Sequence, residues 1–156
     1  TCAGCGSNLA GGRMTSVVID ANICLALFLP LPYSNAVDKM FKQWGRDETS
    51  LLAPVLWEYE IVSGLRRAVF HKIISPDDAH LALQEMDHLQ VEVISPSFQL
   101  HQQALRISAR LEQSRCYDAH YLALAEQLQT VLWTADQRLV NQSKHLGWEW
   151  VHWIGE

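Results

Sequence analysis

Cysteine is scarce: the 156 residues contain four, Cys2, Cys5, Cys24 and Cys116. A chain of this length buries roughly two thirds of its unfolded surface and needs no disulfide staples, so a cystine-framed fold is excluded. Cys2 and Cys5 have CxxC spacing, but Cys24 and Cys116 stand alone and no second pair completes a zinc site. Both isolated cysteines adjoin apolar residues and read as buried thiols. Long apolar runs are missing as well. The longest, ICLALFLPLP, falls short of a membrane span and contains Pro30 and Pro32. Basic residues are outnumbered, 12 Lys and Arg against 17 Asp and Glu, for a formal net charge of -5. Bulk charge therefore does not attract polyanions, and any phosphate binding must rest on a locally basic rim. No Gly-rich P-loop, dinucleotide fingerprint or GxSxG elbow occurs, which argues against nucleotide-dependent kinases, dehydrogenases and serine hydrolases. The seven histidines lack HExxH or comparably compact metal spacing and are assigned to surface and packing roles.

What remains is globular in composition, 49% hydrophobic and 19% charged. Residues 1–13, TCAGCGSNLAGGR, differ sharply from the rest and lack the apolar core of a secretory signal. They read as an added leader, with one domain over 14–156. With no disulfide pattern and no membrane partner, a reducing, cytoplasmic setting is the default.

Strands are expected at Ser16 to Asp20, Ser50 to Ala53, Val91 to Ile94, Gln129 to Thr134 and Trp148 to Ile154, from their β-branched and alternating character. Helices are expected near Ile23 to Phe28 and from Ser34, as a cap, to Arg46. Another should run from a first-turn Pro54 toward Phe70, and a fourth from Ser75 to His88 behind a Ser-Pro-Asp-Asp opening. Two more fit Leu100 to Leu111 and Cys116 to Leu128. Strands separated by helices imply a three-layer α/β domain around a mainly parallel five-stranded sheet. Trp148 and Trp150 share strand phase and Trp153 takes the opposite one, which favours burial against helices or a dimer surface over base stacking.

Acids then stand out by position. Asp20 closes the first strand and Asp136 follows the strand ending LWTAD, at the carboxyl ends where open α/β sheets bind ligands. Asp118 opens a helix whose same face carries Tyr121, Leu122 and Ala125. Alone, it also reads as a helix-start acid satisfied by amides. In the helix after Pro54, the apolar arc of Val55, Val62, Leu65 and Val69 is centred near Glu58, whereas Glu60 shares a stripe with Leu56, Gly64 and Arg67. Periodicity therefore favours Glu58, and Glu60 has an arginine partner as its bland alternative.

VVIDAN, PVLWEYEIVSGL, CYDAHYLALAEQL and LWTAD, in that order across Met14 to Glu156, together resemble the PIN-domain nucleases, especially the toxin subunits of VapBC-type pairs. The resemblance implies an αβα sandwich, a homodimer, and Mg²⁺- or Mn²⁺-dependent cleavage of RNA to 5'-phosphate and 3'-hydroxyl ends. It also implies a cognate antitoxin that suppresses the activity. The family's first-strand aspartate corresponds to Asp20, its helix glutamate to Glu60, and its later aspartates to Asp118 and Asp136. Thr134 matches a frequently hydroxylated position beside the site. Ser63 stands where the family often has asparagine, and Glu58 has no counterpart.

Such acids suit hard cations, which prefer oxygen ligands and, for Mg²⁺, retain several waters. Without a cation the four carboxylates would repel one another. Asp20 and Asp118 are the leading direct ligands, with Glu60 and Asp136 acting directly or through water. Arg66, Arg67, Lys72 and Arg138 are candidates for a basic rim. The competing expectation from another class is a catalytically weak PIN-like module that binds RNA or a regulatory protein. A phosphotransfer enzyme is more distant, because VVIDAN lacks a second acid two positions on.

Overall fold

The computed structural model describes residues 14–155; the expected leader, with Cys2 and Cys5, lies outside the described residues. In the first strand, β1 (Ser16–Ile19), the consecutive residues Val17, Val18 and Ile19 are at most 4% exposed. Successive strand side chains point to opposite faces, so both faces are covered here, as a parallel sheet requires. The remaining elements are α1 (Ala21–Leu25), α2 (Ser34–Arg46), β2 (Ser50–Pro54), α3 (Leu56–Phe70), α4 (Pro76–His88), β3 (Glu92–Ile94), α5 (Phe98–Arg110), α6 (Tyr117–Gln127), β4 (Val131–Thr134), α7 (Gln137–His145) and β5 (Val151–Trp153).

The strands run in the order β3-β2-β1-β4-β5. All four pairings are parallel, with Val18 opposite both Leu52 and Leu132, Ala53 opposite Val93, and Trp133 opposite His152. The sheet is thus wholly parallel rather than mainly so, inside the expected α/β sandwich. The chain leaves β1 toward β2 and β3 on one side and returns to β4 and β5 on the other. The carboxyl ends of β1 and β4 therefore flank the point where the winding reverses, the usual place for a ligand crevice.

Helix α6 explains much of the core. Ala119, Tyr121, Leu122, Ala123, Leu124 and Ala125 are each at most 1% exposed, and the helix packs on β1, β2 and β4 with α5 against it. Small residues let a nearly all-round buried helix approach the sheet closely. A second apolar cluster joins Ile23 and Ala26 to Val37 of α2 and Ile154.

Three local expectations change. Pro54 ends β2 instead of opening the next helix: β1 pairs only as far as Leu52, so beyond it Pro54 faces Ile94 alone, where a missing N–H is tolerated. Helix α7 was not expected, since only Leu139, Val140 and Ser143 of QRLVNQSKH are buried. Trp148 and Trp150 precede β5 and stack on each other, 5.8 Å between centroids, with the Arg110 guanidinium 4.7 Å above Trp148. Their shared strand phase therefore has no strand to act in.

Candidate metal centre

Asp20 is the single residue between β1 and α1. Its backbone N–H continues the ladder by donating to Trp133 O at 3.0 Å, while its side chain makes no helix cap. The carboxylate is 7% exposed and accepts a hydrogen bond from the Thr134 hydroxyl, 2.8 Å to Oδ2. Thr134, fully buried at the end of β4, in turn accepts from Asn22 Nδ2 at 3.3 Å and from the Asp136 N–H at 3.1 Å. Asn22 Oδ1 accepts from the Ala135 N–H at 3.1 Å. One hydroxyl thereby uses its donor and both acceptor sites to fasten the ends of β1 and β4 together.

The other acids arrive from separate helices. Glu60 on α3 accepts from the Tyr121 hydroxyl at 2.9 Å, and Asp118 on α6 accepts from Gln113 Nε2 at 3.4 Å. Asp136 caps α7, its Oδ1 accepting from the N–H groups of Arg138 and Leu139 at 3.0 and 3.1 Å. Gly64, one turn beyond Glu60, permits the close approach of α3 to α1: a Cβ there would lie 2.4 Å from Leu25 Cδ1.

Glu60, Asp118 and Asp136 line one cleft of about 570 Å³, together with Gln113, Arg115, Tyr117, Arg138 and Gln142. Asp20 lies buried at the strand end, within electrostatic reach of Glu60 and Asp118. Glu58 is exposed and lines a different groove with Trp57 and Met86. Of the two glutamates, Glu60 is the one brought to the other acids. Periodicity pointed to Glu58 because it counted Val62 as core, and Val62 is 52% exposed.

Burial, partly offset by the Thr134 hydroxyl and reinforced by the charges of Glu60 and Asp118, pushes the Asp20 carboxyl up from 3.8 to about 7. Burial also raises Glu60, opposed by the Tyr121 hydrogen bond and reinforced by Asp118. Asp118 is raised by burial and by Asp136, with the Gln113 bond opposing. Tyr121, raised well above its ordinary range by burial and by the acids around it, stays a hydrogen-bond donor. Burial pushes the Cys24 thiol up to about 12, which removes it as a nucleophile.

Among the described residues no three His, Cys, Asp or Glu side chains are already gathered into a metal cage. The donor chemistry nevertheless fits an oxygen-seeking divalent cation. The partners of the four acids named above are a hydroxyl, a phenol, an amide and backbone N–H groups, which orient the carboxylates without neutralising them. A cation that keeps part of its water shell needs no tight all-protein cage.

A parallel α/β sheet with Asp20 and Asp136 at the carboxyl ends of β1 and β4, and with Glu60 and Asp118 brought beside them by α3 and α6, places the chain in the class of α/β proteins with a carboxylate-lined crevice at that end of the sheet. The PIN domain family model matches residues 17–144, and the chain belongs to that family. It is 37% identical over 123 residues to the VapC ribonuclease Mb0985 of Mycobacterium bovis, spanning 79% of this chain and 87% of that protein. Ribonuclease VapC9 of Mycobacterium tuberculosis matches with the same identity and coverage. The crystal structure of VapBC2 from Rickettsia felis, bound to a DNA fragment from their promoter, superposes with a TM-score of 0.64. At 12% identity over 88% of this chain and 98% of that one, it reports on the fold alone.

Several side chains at the site were passed over in the sequence. Asn22 sits inside the quoted VVIDAN but had no assigned role. Tyr121 was noted as sharing a helix face with Asp118, without its bond to Glu60. Gln113, Arg115 and Tyr117, the last 61% exposed, lie in or beside the turn before α6, where no periodicity points. Of the rim candidates, Arg138 lines the cleft; Arg66 lies over Phe70, 5.9 Å from the ring centroid. Arg67 and Lys72 are not among the cleft's lining residues.

Proposed function

We propose that the chain is an endoribonuclease that hydrolyses RNA phosphodiester bonds with Mg²⁺ or Mn²⁺, acting as the toxin of a toxin–antitoxin pair. The observation that carries this is the meeting of Asp20, Glu60, Asp118 and Asp136, from four separate segments, at one sheet end beside an open cleft. Membership of the PIN family and 37% identity to named ribonucleases support it. In this reading Asp20 and Asp118 hold the cation directly, and Glu60 and Asp136 hold it directly or through water. When bound, the cation offsets the repulsion among the acids, polarises a phosphate oxygen and eases ionisation of the attacking water.

The chain's own groups set the geometry. Thr134 fixes the orientation of Asp20 through its donated hydrogen bond, and Tyr121 does the same for Glu60. Asp136 has one oxygen committed to capping α7. Arg115 and Arg138 in the cleft wall give backbone phosphates a counter-charge that the net charge of the chain does not, and the Tyr117 ring offers a face on which an unpaired base stacks. No helix among the described residues is long and apolar enough to cross a membrane. The same reading places the protein in the cytoplasm as a homodimer restrained by an antitoxin.

The test incubates purified protein with structured and single-stranded RNAs, with Mg²⁺, Mn²⁺ or EDTA, alongside Asp20→Asn. The expected result is cation-dependent cleavage leaving 5'-phosphate ends, lost in the variant. Cleavage that survives both EDTA and the substitution would sink the mechanism.

A further inference from the structure

A second set of ligand atoms meets away from the acids. His101 on α5 and His120 on α6 face one another with 2.8 Å between His101 Nδ1 and His120 Nε2, and their rings are nearly perpendicular at 73°. The far nitrogen of His120 is occupied: Nδ1 lies 2.6 Å from the Cys116 carbonyl oxygen. A carbonyl only accepts, so Nδ1 carries a proton, and the tautomer this selects has its lone pair at Nε2. Metal-ligating histidines are held in this way, with the non-ligating N–H bonded to a carbonyl that fixes tautomer and orientation.

We propose that His101 and His120 form a two-imidazole clamp for a borderline divalent metal ion such as Zn²⁺, Ni²⁺ or Cu²⁺. One proton now bridges the facing nitrogens. Moving it to Nε2 of His101, an exposed residue, leaves two lone pairs aimed at each other, and a metal takes the place of the bridge with no net proton change. Metal–nitrogen bonds of about 2.0–2.1 Å at a tetrahedral angle set the two nitrogens about 3.3 Å apart. The rings therefore part by about half an ångström, which the exposed His101 allows by a small rotation.

The backbones beneath are already fixed. Cys116 Sγ donates to Ser108 Oγ at 3.3 Å, and Gln103 donates to Glu126, each joining α5 to α6 or its first turn. Waters complete the remaining coordination. The two sites sort cations by chemistry: imidazole suits Zn²⁺, Ni²⁺ and Cu²⁺, whereas carboxylates suit Mg²⁺ and Mn²⁺. They also lie on different faces of α6, since Asp118 and His120 are two residues, or about 200°, apart on the helix. The wide separation of His101 and His120 in the chain hid the pair from any search for compact spacing.

The test uses the full chain without an affinity tag, in excess Mg²⁺, with Zn²⁺ and Ni²⁺ titrated by calorimetry and thermal shift. One Zn²⁺ per chain is expected to bind, raising the melting temperature. Affinity should fall at least about tenfold in His101→Ala and in His120→Ala and persist in Asp20→Asn. Should His120→Ala fold poorly, His120→Asn, which keeps an N–H for the Cys116 carbonyl, replaces it. Absence of Zn²⁺ binding in the wild type, equal binding in both histidine variants, or loss only in Asp20→Asn would each overturn the proposal.

Discussion

Replacing Asp20 with asparagine should stabilise the metal-free protein at neutral pH while destroying the site. The carboxyl rises from 3.8 to about 7 on folding, and roughly three pKa units correspond to about 4 kcal/mol. Below 3.8 the group is protonated in both folded and unfolded chains and costs nothing. As pH rises from 3.8 to about 7, the unfolded chain ionises first and stability falls; above about 7 the full cost is in place. Asparagine keeps an oxygen for the Thr134 hydroxyl and never ionises. Urea unfolding in EDTA, from pH 4 to pH 8, should give curves for wild type and Asp20→Asn that converge at the acid end. At pH 8 the variant should be the more stable by up to about 4 kcal/mol. The difference between the two chains reports Asp20 together with its coupling to Glu60 and Asp118, while the titrations of groups that do not interact with it are shared. Adding Mg²⁺ or Mn²⁺ should raise wild-type stability and close the gap. Parallel curves at every pH, or a variant less stable than wild type at pH 8 without metal, would refute the reasoning.

Thr134→Val should lose cleavage by about one to two orders of magnitude and cost about 1–3 kcal/mol, because Asp20, Asn22 and the Asp136 N–H all lose their shared partner; Thr134→Ser should restore most of both, read by kcat and chemical denaturation. Tyr121→Phe should weaken Mn²⁺ binding by about tenfold or more, as removal of an orienting partner does elsewhere, with little change in circular dichroism; unchanged affinity would remove Tyr121 from the site. Gln90→Gly should stabilise the protein by about 1 kcal/mol in thermal denaturation, since Gln90 holds φ of 54°, a left-handed conformation that costs a side chain but not glycine.

The legible parts of the fold are those where one short segment carries its own signal. Helix α2 spans the expected Ser34–Arg46, but Ser34 is its first residue and not its cap: Tyr33 holds the cap position, and the Ser34 hydroxyl accepts from the Leu31 N–H and donates to the Leu29 carbonyl. Helix α4 begins with the expected serine cap, its Ser75 and Asp78 exchanging side-chain to backbone bonds. Asp20 after three β-branched residues marked the end of β1. Helix α7 was missed because its burial rests on three residues. The ends of helices were blurred for a further reason: Glu48, Lys72, Gln90, Glu112 and Gln129, all at positive φ, stand two residues beyond the last residues of α2 to α6. Glycine takes the corresponding position only after α7, at Gly147. The usual glycine punctuation was therefore absent. Within the site, the acids and Thr134 could be matched to a family pattern, but Asn22, Gln113 and Tyr121 could not. Apart from that pattern, Tyr121 and Thr134 look like ordinary core residues until the tertiary fold brings Glu60 and Asp20 to them.

That division has a physical basis. A carboxylate in a buried, acid-rich setting weakens the fold unless something offsets its charge, so it stands out against the apolar residues around it. A hydroxyl satisfied by three partners, or a phenol donating one bond, costs the core almost nothing and leaves no such mark. The arrangement at β1 and β4 uses both kinds: acids that are unfavourable without a cation, and neutral donors that keep them aimed while none is bound. The orienting groups contribute packing and hydrogen bonds with or without metal, so the folded chain tolerates the acids before the cation arrives. On the proposed reading, a cation would meet carboxylates that are already oriented, and its stabilising effect would fall on Asp20 and its acidic neighbours rather than on the sheet as a whole.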